Sequence, residues 1–352
     1  MPGRMRAAVY DGPGRIAVRE VDAPEPGPAD VVLDVIACGI CGSDVHSYRK
    51  GMYVEPGQIL GHEFMGTLAA VGDAVEALEV GQRVAAFGLG VCGACYWCER
   101  GQFILCPELF HRSTGYGRPG GLAEQVLIPG AIAGATVHPL PSTLSDDVGA
   151  TVEPVAVGVG AVAEAGVVPG DQVVVLGLGM IGNVCAQAAK AAGAARVLGV
   201  DVAPLRLEAA RAHGVDDVFD ARDGDALEWV KQEFGVGRYH FHEGAMADVV
   251  IEAAGAPQTI VDSFEMVRSG GTIAFVGLPE EPAPIDTTKI IHKQPRVVGP
   301  LGGDFGGAIQ MLDSGAIRTE GLVTHRFDLD DAAAAFAAQA DAQASVKVLI
   351  KP

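Results

Sequence analysis

Short runs in which apolar residues alternate with polar ones or follow one another directly, each closed by Gly, Pro or Asp, fill roughly the first 150 positions: MRAAVYDG, VVLDVIACG, EFMGTLAAVG, QRVAAFG and LAEQVLIPG. Runs of this length between turn formers predict β-strands, and their close succession predicts a β-rich, barrel-like domain. After Glu153-Pro154 the pattern changes to apolar strands alternating with Ala-rich helices. DQVVVLGLG precedes MIGNVCAQAAKAAGA, ARVLGVD precedes PLRLEAARAHG, and ADVVIEAAG leads to a helix around 260–267 and the strand GGTIAFVGLP. That alternation predicts βαβ units and a parallel sheet. From about residue 290 the chain adds another strand, a helix near 308–314, an Ala-rich helix around 331–342 and the closing strand SVKVLI. The expected architecture is therefore α/β, with residues 1–153 and 290–352 forming one domain around a doubly wound parallel-sheet unit at 154–289.

Composition narrows the function classes. The 352 residues suffice for about two domains, and 49% hydrophobic, 20% charged residues and 48 glycines describe a turn-rich globular protein. A formal charge of −19, from 44 acidic against 25 basic residues, opposes binding to nucleic acid or an anionic membrane. Small-molecule chemistry is favoured. The N-terminal MPGRMRAAVYDGPG lacks the apolar core of a signal peptide. An odd number of cysteines, seven, suits a reducing compartment, so a cytoplasmic location is expected. The uncharged stretches 125–145 and 172–189 are interrupted by three prolines and by a glycine-rich turn respectively, and neither is expected to span a membrane.

Cys92, Cys95, Cys98 and Cys106 follow the spacing C-x2-C-x2-C-x7-C. CxxCxxC is too tight for ordinary disulfides, whereas four thiolates so close along the chain can surround one tetrahedral zinc. Such a closed site is structural, since no ligand position remains for substrate. A second set is scattered: Cys41 in CGICGSDVH, His62-Glu63 in GHEF, and Glu153 in TVEPVAV. One thiolate, one imidazole and one or two carboxylates make an open zinc site. Ser43 and His46, two and five residues beyond Cys41, offer a hydroxyl and a titratable ring to carry a proton from such a metal to solvent.

VVVLGLGMIG sets Gly177, Gly179 and Gly182 as G-x-G-x-x-G between a strand and a helix. The first glycine permits a tight turn, the second close approach of a pyrophosphate, and the third close helix–strand packing. Asp201 follows Gly182 by 19 residues, at the end of the next strand, where an acid can bind the adenosine ribose. The same acid repels a 2′-phosphate, so NAD is favoured over NADP. Arg206 can reach a phosphate, stack on the adenine or lie across the ribose.

These segments together resemble the zinc-containing medium-chain alcohol and polyol dehydrogenases. CGICGSDVH, GHEF, the cysteine lobe, GGLAEQVLIP, TVEPVAVG, VVVLGLGMIG, VVIEAAG, GGTIAFVG and VTHRFDLDDAAAAF run in that family's order over almost the whole chain. The resemblance implies a GroES-like β-barrel catalytic domain holding the catalytic zinc, a Rossmann domain binding the nicotinamide cofactor, and an active site in the cleft between them. It implies two zinc ions per chain. Cys41 and His62 correspond to catalytic zinc ligands, with Glu63 or Glu153 completing the set; where Glu63 ligates, Glu153 holds water or substrate. Ser43 corresponds to the hydroxyl that receives the alcohol proton and His46 to the group that passes it on through the cofactor ribose. Asp44 corresponds to a residue that orients a zinc-binding histidine. Ile181, Arg206, Val276, Gly277 and Leu278 join Gly177, Gly179, Gly182 and Asp201 on the expected cofactor surface. Cys38 and Cys185 match no ligand position and are expected to be buried apolar residues.

The implied reaction is zinc-dependent hydride transfer between a secondary alcohol and NAD, giving the ketone. The acid before proline and the Glu beside His62 resemble the sorbitol, threonine and 2,3-butanediol branch, so a polyol, cyclitol or vicinal diol is the first expectation. Polyol enzymes commonly carry an arginine after the strand that here reads RVVGPLGGDF, where this chain has Gly-Pro-Leu-Gly-Gly. A less polar alcohol, or an amino alcohol such as threonine, therefore stays open. So do two other readings, a non-catalytic nucleotide sensor and a zinc-free quinone reductase. The resemblance also implies a dimer or tetramer joined through the edge of the Rossmann sheet, here near GTIAFVGLPEE. His240 and His242 are expected in a surface loop.

Overall fold

The computed structural model describes residues 3–352. Seven strands form the sheet of the first domain. In spatial order they are Val323–Asp328, Lys347–Lys351, Val31–Gly39, Glu63–Val71, Arg83–Ala86 and Val137–Pro139, with Gln125–Ile128 also paired to Val31–Gly39. Pairing is antiparallel except between Val323–Asp328 and Lys347–Lys351. The hairpin Arg4–Gly12/Arg15–Asp22 packs beside it, linked by bridges from Ala7 to Ala123 and Val9 to Ile59. The last strand thus lies inside the first domain's sheet, between Val323–Asp328 and Val31–Gly39, and the two ends of the chain pack together.

The second sheet is wholly parallel, in the order Asp217–Asp220, Arg196–Asp201, Gln172–Leu176, Ala247–Glu252, Val267–Phe275, Arg296–Val298. Its central strands, Arg196–Asp201, Gln172–Leu176 and Ala247–Glu252, read as nearly continuous apolar runs because both faces are covered. Val173 and Val175 enter one core cluster and Val174 and Leu176 another, as alternation along a strand requires. Chain order reverses between Gln172–Leu176 and Ala247–Glu252, and in such sheets the crevice at that switch, beyond the carboxyl ends of the strands, receives ligands.

The helix Val152–Ala165 joins the two units. Glu153 and Pro154 stand in its first turn, where a proline's missing N–H costs nothing. Around it one core cluster runs from Met65 and Ala85 of the first domain to Val173 and Ile251 of the second.

Three features depart from the sequence reading. The polar, largely exposed run Arg15–Asp22 is a strand. The segment expected as a histidine-bearing loop is a hairpin, Val236–Tyr239 with His242–Ala245, with His240 at its turn. The strand Val267–Phe275, which carries GTIAF, is not the sheet edge, because Arg296–Val298 pairs outside it; the edge strand comes from beyond residue 290, so the parallel sheet extends past the boundary expected there. No helix among the described residues is long and apolar enough to cross a membrane.

Candidate active site and metal centres

Cys41 is the N-cap of the Gly42–Lys50 helix and has an extended backbone. Asp44, in the first helical turn, accepts the Cys41 N–H through Oδ2 at 2.9 Å, while its Oδ1 stands 3.4 Å from Gly61 N and 3.6 Å from His62 Nδ1. One carboxylate therefore fastens the cysteine turn to the segment that enters the strand Glu63–Val71. Gly61 takes φ +91°, and a Cβ there would stand 2.6 Å from Cys38 Sγ, so only glycine lets His62 and Glu63 turn inward. Donor atoms of Cys41, His62 and Glu63 lie within 4.8 Å of one another.

Lys347 enters this group from the last strand. Its Nζ donates to Glu63 Oε1 at 2.8 Å, Glu63 Oε2 at 2.7 Å and Ile40 O at 3.0 Å, with both side chains buried. Burial alone pulls the ammonium down, but the Glu63 carboxylate, with Cys41 and Glu153 nearby, outweighs it and holds Lys347 above the ordinary lysine value. Glu153 is outside the set of ligand-distance atoms. Desolvation in this crowded site, reinforced by Glu63, pushes its carboxyl up to about 7. His62 is also pulled down by burial, yet Tyr116, Asp44 and Cys41 around it carry it well above the usual imidazole value. A histidine held toward its cationic form by its neighbours, together with a thiol and a carboxylate at ligand distance, marks a place that favours a cation, and the donor set suits zinc.

Ser43 is buried, and its Oγ lies 3.1 Å from the hydroxyl of Tyr116. That phenol also stands 3.4 Å from His62 Nε2, the two rings stacking with centroids 4.8 Å apart. Burial holds the Tyr116 phenol well above the ordinary tyrosine value, so it stays protonated and able to donate. His46, on the same helix as Ser43, meets Glu280 of the second domain, Nδ1 to Oε1 at 2.9 Å. The sequence reading named neither Tyr116 nor Lys347 nor Glu280. Tyr116 sits in a glycine-rich turn with no sequence signal. A lone lysine inside the apolar strand SVKVLI was a readable one, since a lysine in a buried strand requires a partner.

The sulfur atoms of Cys92, Cys95, Cys98 and Cys106 also lie within 4.8 Å of one another. Around them the local core is small, with Leu109 buried and Leu89, Val91 and Ile104 packed against it. None of the seven cysteines is in a disulfide, and Cys38 and Cys185 are fully buried among apolar residues as expected.

In the parallel sheet, Gly177 takes φ +89° and Gly179 is the N-cap of the Met180–Ala191 helix. A Cβ at Gly182 would stand 1.8 Å from Gly177 O, which is the close packing that the third glycine serves. Asp201 is buried beneath this loop. Its oxygens accept Leu178 N at 2.6 Å, Val202 N at 2.7 Å and Ala203 N at 2.9 Å, so it orders the loop and keeps spare acceptor capacity for a hydroxyl. Arg206 donates to Ser345 O at 3.1 Å, and its guanidinium approaches Gly179. Ile181 is partly buried, Val276 and Gly277 both donate N–H to Glu252 O, at 2.8 and 3.0 Å, and Leu278 is half exposed.

A β-domain with one open and one closed metal-ligand set, joined to a parallel-sheet domain with a dinucleotide loop, defines a two-domain, metal-dependent dehydrogenase. Comparison with known proteins agrees. Residues 27–142 match the alcohol dehydrogenase GroES-like domain and residues 180–314 the zinc-binding dehydrogenase family. The chain is 33% identical over 340 residues to sorbitol dehydrogenase of Bacillus subtilis strain 168, covering 94% of this chain and 92% of that one. Among solved structures it resembles a zinc-binding dehydrogenase of Sinorhizobium meliloti 1021 bound to NADP, with TM-score 0.89, 33% identity and coverage of 99% of this chain and 100% of that one. It likewise resembles 2R,3R-butanediol dehydrogenase of Bacillus subtilis, with TM-score 0.86, 28% identity and 99% coverage of both chains. The chain belongs to the zinc-containing medium-chain alcohol and polyol dehydrogenase family, and it is an enzyme of that class.

Proposed function

We propose that this enzyme oxidises the secondary hydroxyl of a polyol, cyclitol or vicinal diol to a ketone with NAD, and runs the reverse reduction. The observation that carries the reading is the group Cys41, His62 and Glu63 at ligand distance, with His46 on the adjoining helix reaching the second domain just beyond Val276–Gly277–Leu278. Cys41 and His62, with Glu63 or Glu153, would hold a catalytic zinc, and Cys92, Cys95, Cys98 and Cys106 a structural one. Glu63, already paired with Lys347, is the acid nearer to the other donors; Glu153, with a carboxyl raised to about 7, suits contact with a neutral hydroxyl or water. When bound, the metal supplies Lewis-acid polarisation of the substrate oxygen and the nicotinamide exchanges the hydride.

The remaining steps fall to the chain. Ser43 accepts the hydroxyl proton, Tyr116 holds Ser43 in place, and His46 passes the proton toward solvent. The glycine loop at 177–182, Ile181, Arg206 and the 276–278 segment position the dinucleotide. Asp201 favours NAD, because a 2′-phosphate would meet its carboxylate. Relatives acting on sorbitol and on 2R,3R-butanediol support a vicinal-diol substrate. Exposed Leu301, in the stretch where a polyol enzyme would place an arginine, favours a less polar diol as the second reading. Backbone groups on the edge strand Arg296–Val298 suit a dimer or tetramer, and a cytoplasmic setting agrees with the free thiols.

Rates of NADH and NADPH formation with sorbitol, a cyclitol, 2,3-butanediol, threonine and 2-propanol, alongside metal analysis, test this. Turnover of a diol or polyol with NAD, and about two zinc ions per chain, are expected. A Cys41→Ala protein that kept its fold and structural zinc yet oxidised alcohols at the parent rate would remove Cys41 from the chemistry.

A further inference from the structure

Glu280 stands two residues beyond Leu278, on the chain leaving the parallel sheet, and its carboxylate crosses to the Gly42–Lys50 helix of the first domain. One oxygen lies 2.9 Å from His46 Nδ1 and the other takes the ammonium of Lys50. His46 and Lys50 are four residues apart, hence neighbours on one helix face, and like charges at that spacing repel. Arg49 adds a further positive charge beside them. An imidazole that takes up a proton at this position therefore gains its charge next to a permanent ammonium. A carboxylate bound between the two turns a repelling pair into a bridged trio.

Glu280 is suited to remain the anion of that trio. The hydrogen bond from Lys50 lowers its carboxyl, outweighing the small effect of burial, and the charges of His46 and Arg49 act in the same direction. His46 Nδ1 lacks an aligned hydrogen-bond partner despite the short distance, so Glu280 acts on the ring by charge rather than by fixing its tautomer.

We propose that Glu280 is a positioning residue of the proton path, whose carboxylate, supplied by the nucleotide-binding domain, offsets the charge that His46 acquires as the substrate's hydroxyl proton passes through it. The proposal rests on the roles of Ser43 and His46 given above. The balance is that of alcohol oxidation: the carbon loses a hydride to the nicotinamide, the oxygen loses its proton through Ser43 and His46 to water, and Glu280 retains none. Because the carboxylate belongs to the other domain, the path is complete only while the domains meet as they do here. Proton release is thereby tied to that contact between the domains.

The test compares the parent with E280Q, K50M and the K50M/E280Q double variant in NAD-dependent alcohol oxidation, with coenzyme affinity, zinc content and melting temperature measured on each. E280Q is expected to lower kcat about 10-fold, to enlarge the solvent deuterium isotope effect on kcat, and to regain rate on addition of imidazole, which takes over proton transfer. The double variant is expected to recover most of the loss, because the opposing ammonium is gone. An E280Q defect that imidazole leaves unchanged and that simply adds to that of K50M would mean that Glu280 only ties the domains together, and would overturn the proposal. Parent-like kcat in E280Q overturns it as well. A parent that oxidises no alcohol at all overturns the dehydrogenase reading itself, a different failure.

Discussion

Glu63 and Lys347 are separated by 284 residues and meet in an ion pair in which both side chains are buried. Taking one partner from such a pair leaves an uncompensated buried charge, a loss of about 3–5 kcal/mol. Lys347→Met is therefore expected to destabilise the protein by about that amount in urea unfolding. Changing both partners, as Glu63→Gln with Lys347→Met, should recover part of the loss, since neither charge is then stranded. Tyr116 sets a different test. Its phenol holds Ser43 at 3.1 Å in a buried site, so Tyr116→Phe leaves that hydroxyl without a partner and should lower kcat/KM about 10-fold with the fold intact. An unchanged kcat/KM would show that Ser43 needs no such support. Much of this site was legible from local spacing: Cys41, Ser43 and His46 share one turn and helix, and His62 and Glu63 are adjacent. What escaped notice reaches the site from far along the chain. Tyr116, Glu280 and Lys347 become neighbours only through tertiary packing, which no spacing encodes.

Among single elements, the helix Pro257–Met266 ends in an unusual way. The buried ammonium of Lys293 donates to Phe264 O, Glu265 O and Val267 O, each at 2.8 Å, and so closes carbonyls that a helix end leaves open. Burial, with Lys289 and Lys231 near, lowers this lysine to about 8. The three carbonyls at the negative end of the helix favour the charged form. Lys293→Met should cost about 3 kcal/mol of stability while leaving kcat of the folded enzyme unchanged; a parent-like unfolding midpoint would show that water satisfies those carbonyls equally well. The cysteine lobe is an element of another kind, because its small core buries Leu109 with Cys98 and Cys106 and covers Leu89, Val91 and Ile104 only in part. Metal ligation by the four thiolates, as proposed above, would substitute for apolar packing here. Cys98→Ser should lower the metal content from about two to about one per chain and expose the lobe around residues 92–106 to proteolysis before the rest of the molecule. Full zinc content in that variant would refute the four-thiolate site.

In the whole molecule, the division into a β-rich and a parallel-sheet unit was legible because the periodicity itself changes after Glu153-Pro154, and that change is a property of the local sequence. Which strand forms the sheet edge was not: a strand at RVVG was expected, but three mostly exposed residues do not encode that it pairs with Val267–Phe275 rather than with the first domain. The hairpin at 236–245 also escaped, as its polar, histidine-bearing face buries little. The return of the chain end to the first domain follows from charge as well as from strand pairing. Asp147, in the short helix Asp146–Gly149, meets Arg326 at 2.5 Å and Lys351 at 2.9 Å, one from each of the two C-terminal strands. Burial by itself raises the Asp147 carboxyl, but hydrogen bonds from Lys351 and Arg326 outweigh it and hold it below the ordinary aspartate value. A carboxylate whose folded-state value is depressed adds stability that is fully present above its unfolded value, about 3.9, and is lost as pH falls through the folded value. All three side chains are partly exposed, so solvent screening limits the contribution to about 1 kcal/mol. Asp147→Asn should therefore be less stable than the parent by about that much near pH 7, and the two unfolding free energies should converge as pH drops below about 4. A difference that stayed constant down to pH 2 would mean that packing of the side chain, and not its charge, fastens the chain end.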